Sequence, residues 1–100
     1  MDIPPAKDVK AGTRFLVKTP NGMVEFRVSR FAHGKGESKH LTTIDGTTLK
    51  QVVVEAQCSV RFQGAEFLGK FSMVQPLADG TWAVRAEFLI GDKPFWEGAQ

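Results

Sequence analysis

Basic side chains gather in one short stretch, and this is the first group of residues whose types and spacing could do chemistry. Residues 27 to 40 hold Arg27, Arg30, His33, Lys35, Lys39 and His40. Lysine and arginine neutralise phosphate groups, and an exposed aromatic ring can stack on a base. The stretch therefore supports a hypothesis of single-stranded nucleic-acid binding. The residues assigned to that site are Arg27, Arg30, Phe31, Lys35 and Lys39.

The glycines of residues 34 to 38 invite comparison with a phosphate-binding loop. Such a loop carries Ser or Thr directly after its lysine and opens a helix. Here Gly36 follows Lys35, and a strand is expected beyond the loop. The motif does not support nucleotide hydrolysis, and a flexible basic loop resting on a phosphate backbone fits these residues better.

The remaining reactive side chains do not form a catalytic or metal-binding set. His33 and His40 are the only histidines, and no cysteine pair is available to complete a zinc site. Cys58 is expected to face the core, where a thiol behaves as a small apolar group. Glu55 and Glu87 are expected on a solvated sheet face, paired with basic neighbours. The sequence predicts a protein that is not an enzyme, with no cofactor, metal or evident small-molecule substrate.

Length and composition predict a single folded domain over residues 1 to 100. The chain is 42% hydrophobic and 24% charged, close to the averages for folded domains. The net charge of +2 divides unevenly, because residues 1 to 50 hold nine basic and five acidic side chains while residues 51 to 100 hold four and six. No signal peptide or apolar stretch of membrane-spanning length is evident, so a cytoplasmic protein without membrane association is expected.

The strands that must position these residues can be counted from turn signals. Asn21-Gly22 predicts a tight hairpin over residues 13 to 31, with Phe15 opposite Val28. Two-residue turns at residues 64 and 65 and at residues 79 and 80 pair three further strands over residues 51 to 91. These turns place Phe62 opposite Phe67 and Phe71 opposite Phe88.

Other segments are predicted from local composition. Residues 1 to 12 are expected to be an irregular lead-in, and residues 32 to 39 a loop. A short strand over residues 40 to 44 should end at an Asp45-Gly46 turn. Residues 47 to 63 are too long for one straight strand and should bend or break, with a helical turn near residues 47 to 51 as an alternative. In the tail, residues 92 to 100, Phe95 and Trp96 are expected to cover one end of the core.

The predicted fold class is all-β, with five or six antiparallel strands in a small barrel or sandwich built from consecutive hairpins. The layouts of SH3-like and oligonucleotide-binding barrels both fit. A glycine at position 69, in an inward row, predicts a bulge or a bend where the sheet closes. The nine residues expected on the inner face of the three-stranded unit are Val54, Val60, Phe62, Phe71, Met73, Trp82, Val84, Phe88 and Ile90.

The outer face of the same unit mixes apolar and charged side chains. A solvated sheet face should be polar, so apolar residues there need a cover. The leading functional hypothesis is therefore a protein-binding or self-associating module that uses this face or the loop of residues 32 to 39. The residues assigned to partner binding are Leu68, Val74, Leu89 and Arg85.

Overall fold

The computed structural model describes residues 1–33, 41–90 and 93–96. Six strands account for most of the described chain, and a 3-10 turn at Ala6–Asp8 precedes them. The elements are β1 Arg14–Thr19, β2 Gly22–His33, β3 Thr42–Thr48, β4 Gln57–Phe62, β5 Ala65–Pro76, β6 Trp82–Phe88 and the single helical turn α1 Lys93–Trp96.

The strands form a closed antiparallel barrel in the order β1-β2-β3-β6-β5-β4. The predicted fold class is confirmed, and of the two predicted forms the chain adopts the barrel. Four of the six pairings join strands that follow one another in sequence. The other two, β3 with β6 and β1 with β4, join strands far apart in the chain and close the sheet.

The barrel interior is filled by large apolar side chains from every strand. Phe15, Phe26, Phe71 and Phe88 are fully buried, and the two rings of Phe15 and Phe26 stack at 5.2 Å. Such rings bury the most apolar surface per residue and supply most of the hydrophobic stabilisation. Of the predicted inner face, Trp82 is half-buried, and Val54 and Met73 are exposed instead.

The first hairpin is confirmed, but its turn lies one residue earlier than predicted. The strands end at Thr19 and Gly22, so Pro20 and Asn21 form the turn, and Phe15 pairs with Phe26 instead of Val28. The Thr19 hydroxyl donates to the Gly22 carbonyl at 2.7 Å and accepts from the Asn21 N–H at 3.2 Å. These bonds favour the observed turn over the one predicted from composition.

The β4–β5 hairpin shows the same type of shift. Phe62 pairs with Ala65, and Gln63 and Gly64 form the turn, both with positive φ. The pairing is displaced by two residues from the prediction, which placed Phe62 opposite Phe67. Because side chains alternate with a period of two, the inward set of β4 stays inward.

A β-bulge at Ser72 changes the alternation of β5. Phe71 pairs with Ala86, whereas Met73 pairs with Arg85, so one residue of β5 is extra. A bulge leaves its extra residue unpaired and moves the residues after it to the other face. Val74, predicted on the outer face, is half-buried against the core, and Met73, predicted inside, is exposed.

The predicted pairing of Phe71 with Phe88 is wrong, and the bulge is one of two causes. The other is the turn, because Pro76 pairs with Trp82 and the Leu77 N–H donates to the Thr81 carbonyl at 2.9 Å. Residues 78 to 80 therefore connect the strands in place of the two-residue turn predicted at residues 79 and 80.

A second bulge, at Ser29 in β2, acts in the same way. Val28 pairs with Gly46, and Arg30 pairs with the next residue back along β3, Asp45. Without the extra residue, the side chain of Arg30 would point inward, as that of Val28 does. The bulge turns Arg30 outward and Phe31 toward the core, where Phe31 is half-buried.

The predicted turn at Asp45-Gly46 is wrong, because β3 runs straight through both residues. Gly46 faces inward, and a Cβ there would lie within 3.0 Å of the Arg27 carbonyl and the Phe26 ring. The glycine therefore permits close approach of two strands and does not mark a turn. The long segment breaks as predicted: β3 ends at Thr48 and β4 begins at Gln57, without the alternative helical turn.

The irregular lead-in completes the barrel where β1 and β4 diverge. Only two residue pairs join these strands, Val17 with Val60 and Lys18 with Ser59. Beyond them, the Ile3 N–H donates to the carbonyl of Arg61 on β4, and the Met1 carbonyl accepts from the N–H of Leu16 on β1. Ile3, Ala6 and Val9 are buried.

The C-terminal aromatics cover one end of the barrel, as predicted. Phe95 is fully buried and meets Phe62 edge to face at 5.1 Å. Trp96 is half-buried, and its indole N–H donates to the Thr42 hydroxyl at 3.2 Å and to the Ile90 carbonyl at 3.1 Å. Its ring stacks on His33 and Phe31, with centroids 4.2 and 5.5 Å away.

Candidate functional site

An open groove of about 440 Å³ lies on the outside of the barrel where β4, β5 and the end of β6 meet. Its lining is largely apolar, with three charged side chains. The lining residues are Leu41, Glu55, Gln57, Leu68, Gly69, Lys70, Glu87 and Leu89.

Leu68 and Leu89 supply the apolar surface of this groove. Their side chains are 45% and 55% exposed. The Leu89 N–H donates to the Leu68 carbonyl at 2.8 Å, which continues the β5–β6 pairing beyond Phe88 and holds the two leucines side by side. An uncovered pair of large apolar side chains on an ordered sheet is the surface expected at a binding site.

Gly69 lies between Leu68 and Lys70 on β5 and also lines the groove. A Cβ there would approach the Glu87 carbonyl and the Phe88 ring within 3.0 Å. The sequence signal at Gly69 thus marks close approach of β5 to β6, and the bulge itself lies three residues later.

Three charged side chains border the groove. Lys70 Nζ and Glu55 Oε2 are 3.2 Å apart, and Glu87 lies directly across from Lys70 on β6. Both partners of the ion pair are more than half exposed, so the pair contributes little to stability. One carboxylate is left in excess, and the groove carries a net negative charge.

The segment that enters the groove at Glu55 is also rich in apolar surface. Leu49, Val53 and Val54 are exposed. Glu55 has a φ of 68°, and its N–H donates to the Phe71 carbonyl at 2.8 Å. This bond attaches the segment to β5 and fixes where Glu55 enters the groove.

Of the four residues assigned to partner binding, the structure brings two together. Leu68 and Leu89 line the groove, Val74 is half-buried against the core, and Arg85 belongs to a different part of the outer surface. Leu41, Gln57 and Lys70 line the groove but were not assigned to it from the sequence. Alternation along β5 carried a signal for Lys70, whereas Leu41 enters through the pairing of β3 with β6, which no local pattern predicts.

A second cluster, which we call the arginine row, crosses β2, β3 and β6. Arg30, Asp45 and Arg85 lie directly opposite one another on these strands. Asp45 accepts from Arg30 Nε at 2.8 Å and from Arg85 Nε at 2.7 Å, and Arg85 Nη2 lies 3.3 Å from its second oxygen. Hydrogen bonding from Arg85, with a further contribution from Arg30, lowers the pKa of Asp45 despite partial burial. The same bond raises the pKa of Arg85.

The other residues of the nucleic-acid hypothesis are only partly brought together. Arg27 is exposed and pairs with Thr47. Phe31 is half-buried, with its ring stacked on Trp96, so at least part of its surface is covered. The predicted loop of residues 32 to 39 starts too early, because Ala32 and His33 belong to β2 and pair with β3. Lys35 and Lys39, with the rest of that loop, lie outside the described residues.

Cys58 is buried, and burial raises the pKa of its thiol to about 12. The thiolate needed for nucleophilic attack is therefore very scarce at neutral pH. Within residues 1–33, 41–90 and 93–96, no group of three or more His, Cys, Asp or Glu side chains is arranged to hold a metal ion. Across that same part of the chain, no helix has the length and apolar character needed to cross a membrane.

Comparison of the chain with protein-family models, with curated proteins and with solved structures finds no significant match.

Proposed function

We propose that this protein is a non-enzymatic binding module that holds an extended segment of another protein in the groove between Leu68 and Leu89. The observation that carries the proposal is the exposure of these two leucines, which a backbone hydrogen bond holds side by side in the groove. Protein interfaces combine an apolar centre with a polar rim, and Glu55, Lys70 and Glu87 supply such a rim here.

The size of the groove suits a peptide better than a broad protein surface. A volume of about 440 Å³ accommodates one or two large side chains. Burying one leucine or phenylalanine side chain contributes about 1.5–3 kcal/mol. With a few polar contacts at the rim, the dissociation constant would be on the order of 1 mM, which corresponds to about 4 kcal/mol.

The charge of the rim selects among peptides. Lys70 is paired with Glu55, whereas Glu87 is the acidic residue in excess. A peptide with a basic residue beside its apolar anchor would offset this charge, and an acidic neighbour would be repelled. The proposed partner is a protein segment that carries a large apolar side chain next to lysine or arginine.

The test is a titration of the ¹⁵N-labelled protein with the capped peptide Gly-Gly-Leu-Arg-Gly-Gly, in which NMR chemical shifts report binding. Saturable shifts are expected at the amides of Gln57, Leu68, Lys70 and Leu89, and they should weaken when alanine replaces the peptide leucine. Leu89→Ser should abolish them. Leu77→Ser removes a comparably exposed leucine outside the groove, and it should leave them unchanged.

Two results would contradict the proposal. One is the absence of shifts at the groove in the folded protein at millimolar peptide. The other is a concentration-dependent dimer in sedimentation that Leu89→Ser converts to monomer, because the groove would then be occupied by a second copy of the chain.

A further inference from the structure

Two arginines that sequence reasoning assigned to different sites meet at one carboxylate. Arg30 approaches Asp45 from β2 and Arg85 approaches it from β6, each with an Nε hydrogen bond shorter than 2.9 Å. The Asp45 side chain is only 18% exposed, so its charge is mostly shielded from water by the two guanidinium groups. The arrangement depends on the Ser29 bulge, which turns Arg30 outward into the same row.

The bonds to Asp45 leave donors available at the surface. They use Nε of both arginines and Nη2 of Arg85, so neither terminal nitrogen of Arg30 is engaged by Asp45. The Arg30 side chain is 76% exposed. A guanidinium held through Nε keeps its terminal N–H groups in a defined direction, and such groups bind phosphate oxygens well.

The net charge of the row matches a phosphodiester. Two guanidinium groups and one carboxylate leave a single positive charge, and a phosphodiester carries a single negative charge. Glu87, the next outward residue on β6, acts on the charge of Arg85 and offsets part of it on that side of the row. A shallow groove of about 340 Å³ lies beside the row, lined by Arg30, Phe31, Ala32, Thr43, Asp45 and Arg85. Ala32 and Thr43 are small, so they leave room for a phosphate to reach the arginines.

Arg27 adds a further positive charge on the same outer face. Arg27 pairs with Thr47, two residues from Asp45 along β3, which corresponds to about 7 Å at the usual rise of a strand. Arg27 is exposed, and on the side of β3 and β6 its row continues through the short side chains of Thr47 and Ala83. On the other side it lies opposite Arg14 of β1, which is paired with Glu25 at 3.6 Å. The outer face of β2, β3 and β6 can thus contact successive phosphates.

We propose that the arginine row, with Arg27, binds the phosphodiester backbone of single-stranded nucleic acid across the outer face of β2, β3 and β6. Arg30 and Arg85 contact one phosphate and Arg27 contacts the next. Asp45 is a positioning residue that fixes the direction of both guanidinium groups. Because the contacts are to phosphates, binding is independent of base sequence. This activity is separate from the peptide groove and does not depend on it.

The test is fluorescence anisotropy of a labelled, mixed-sequence single-stranded oligonucleotide at about 50 and 200 mM salt. With about two phosphates neutralised, log K should fall with log salt with a slope near −1.4. Arg30→Gln should weaken binding about tenfold at low salt and reduce the slope by about 0.7. Arg30→Lys should keep the slope but bind less tightly, since lysine lacks the directed fork.

Arg61→Gln is the matched control, because it removes the same charge from an exposed position on β4, across the barrel from β3. It should leave affinity and slope nearly unchanged. Equal losses in Arg30→Gln and Arg61→Gln would show diffuse attraction to a basic surface and overturn the site. The site would also be overturned if the wild-type protein did not bind the oligonucleotide at low salt. Binding to vesicles that contain an anionic phospholipid, without binding to the oligonucleotide, would overturn it too.

A second measurement keeps the proposal testable if a variant is unstable. In the wild-type protein, oligonucleotide addition should shift the side-chain Nε–H signals of Arg30 and Arg85 and leave that of Arg61 in place. If the three strands are merely tied together by Asp45, these signals will not respond to the oligonucleotide.

Discussion

The groove between Leu68 and Leu89 and the arginine row lie on the outside of the same barrel, but their side chains differ in burial and in hydrogen bonding. In the groove, Leu68 and Leu89 are uncovered, and the Lys70–Glu55 pair is exposed on both sides. In the row, one mostly buried carboxylate accepts hydrogen bonds from two arginines on neighbouring strands. The groove therefore contributes little to folding and leaves its leucines exposed, whereas the row stabilises the sheet and leaves the terminal nitrogens of Arg30 outside the bonds to Asp45.

The largest effect is expected beneath both regions, at Phe71. Phe71→Ala should lower the free energy of unfolding by about 3–5 kcal/mol, because the ring is fully buried and its loss leaves a cavity. Met73→Ala, two residues away but across the Ser72 bulge, should change it by no more than about 0.5 kcal/mol. Urea unfolding of both variants checks this, and similar losses would mean that the bulge is absent.

Loss of the carboxylate should lower the free energy of unfolding more in the arginine row than in the Lys70–Glu55 pair of the groove. Asp45→Asn should lower the free energy of unfolding by about 1–2 kcal/mol, since the charge-assisted hydrogen bonds from two arginines are weakened at a mostly buried site whose arginines remain partly in water. Glu55→Gln should cost at most about 0.5 kcal/mol because both members of its ion pair are exposed. Equal values in denaturant unfolding would remove the distinction between the groove and the row.

The same contrast should appear in the pH dependence of stability. Hydrogen bonds from Arg85, and then from Arg30, hold the pKa of Asp45 below its ordinary value. The stabilisation from the ionised carboxylate is therefore fully present above the unfolded pKa of about 3.9, and it is lost as pH falls through the lower folded pKa. Thermal melts between about pH 5 and pH 2 should show a smaller loss of stability for Asp45→Asn than for the wild-type protein. Asp79 also has a lowered pKa, but it is present in both proteins and cancels.

The smallest effect on folding is expected in the groove itself. Leu89→Ser should leave the free energy of unfolding within about 0.5 kcal/mol of the wild-type value, because the side chain is exposed. The same substitution should abolish peptide binding. A destabilisation above about 1 kcal/mol would mean that Leu89 is covered in solution, and the groove would then be part of the core.

Alternation along single strands could be read from the sequence. Phe15, Val17, Phe26, Val60 and Phe62 face inward as expected, although the turns of the β1–β2 and β4–β5 hairpins were placed one residue from their true positions. The period of two explains this result, since a two-residue shift in pairing keeps every side chain on its face. For the same reason, knowing which side chains face inward does not locate the turn.

The candidate sites depended on features that alternation cannot show. The bulges at Ser29 and Ser72 reverse the faces of Arg30 and Val74, and no residue type marks either position. Asp45 was assigned to a turn because Asp-Gly is a strong turn signal, yet Gly46 is required where β3 crosses the Phe26 ring.

The strand content and the inward series of β1, β4 and most of β6 follow from the local residue pattern, because they depend on the geometry of an extended backbone. The position of β3 between β2 and β6, which brings Arg30, Asp45 and Arg85 into one row, comes from the tertiary fold. The contact of Leu89 with Leu68 has the same origin. These neighbours are far apart in the chain. Their meeting depends on closing the barrel around its buried aromatic rings, which is a property of the whole core and of no single segment.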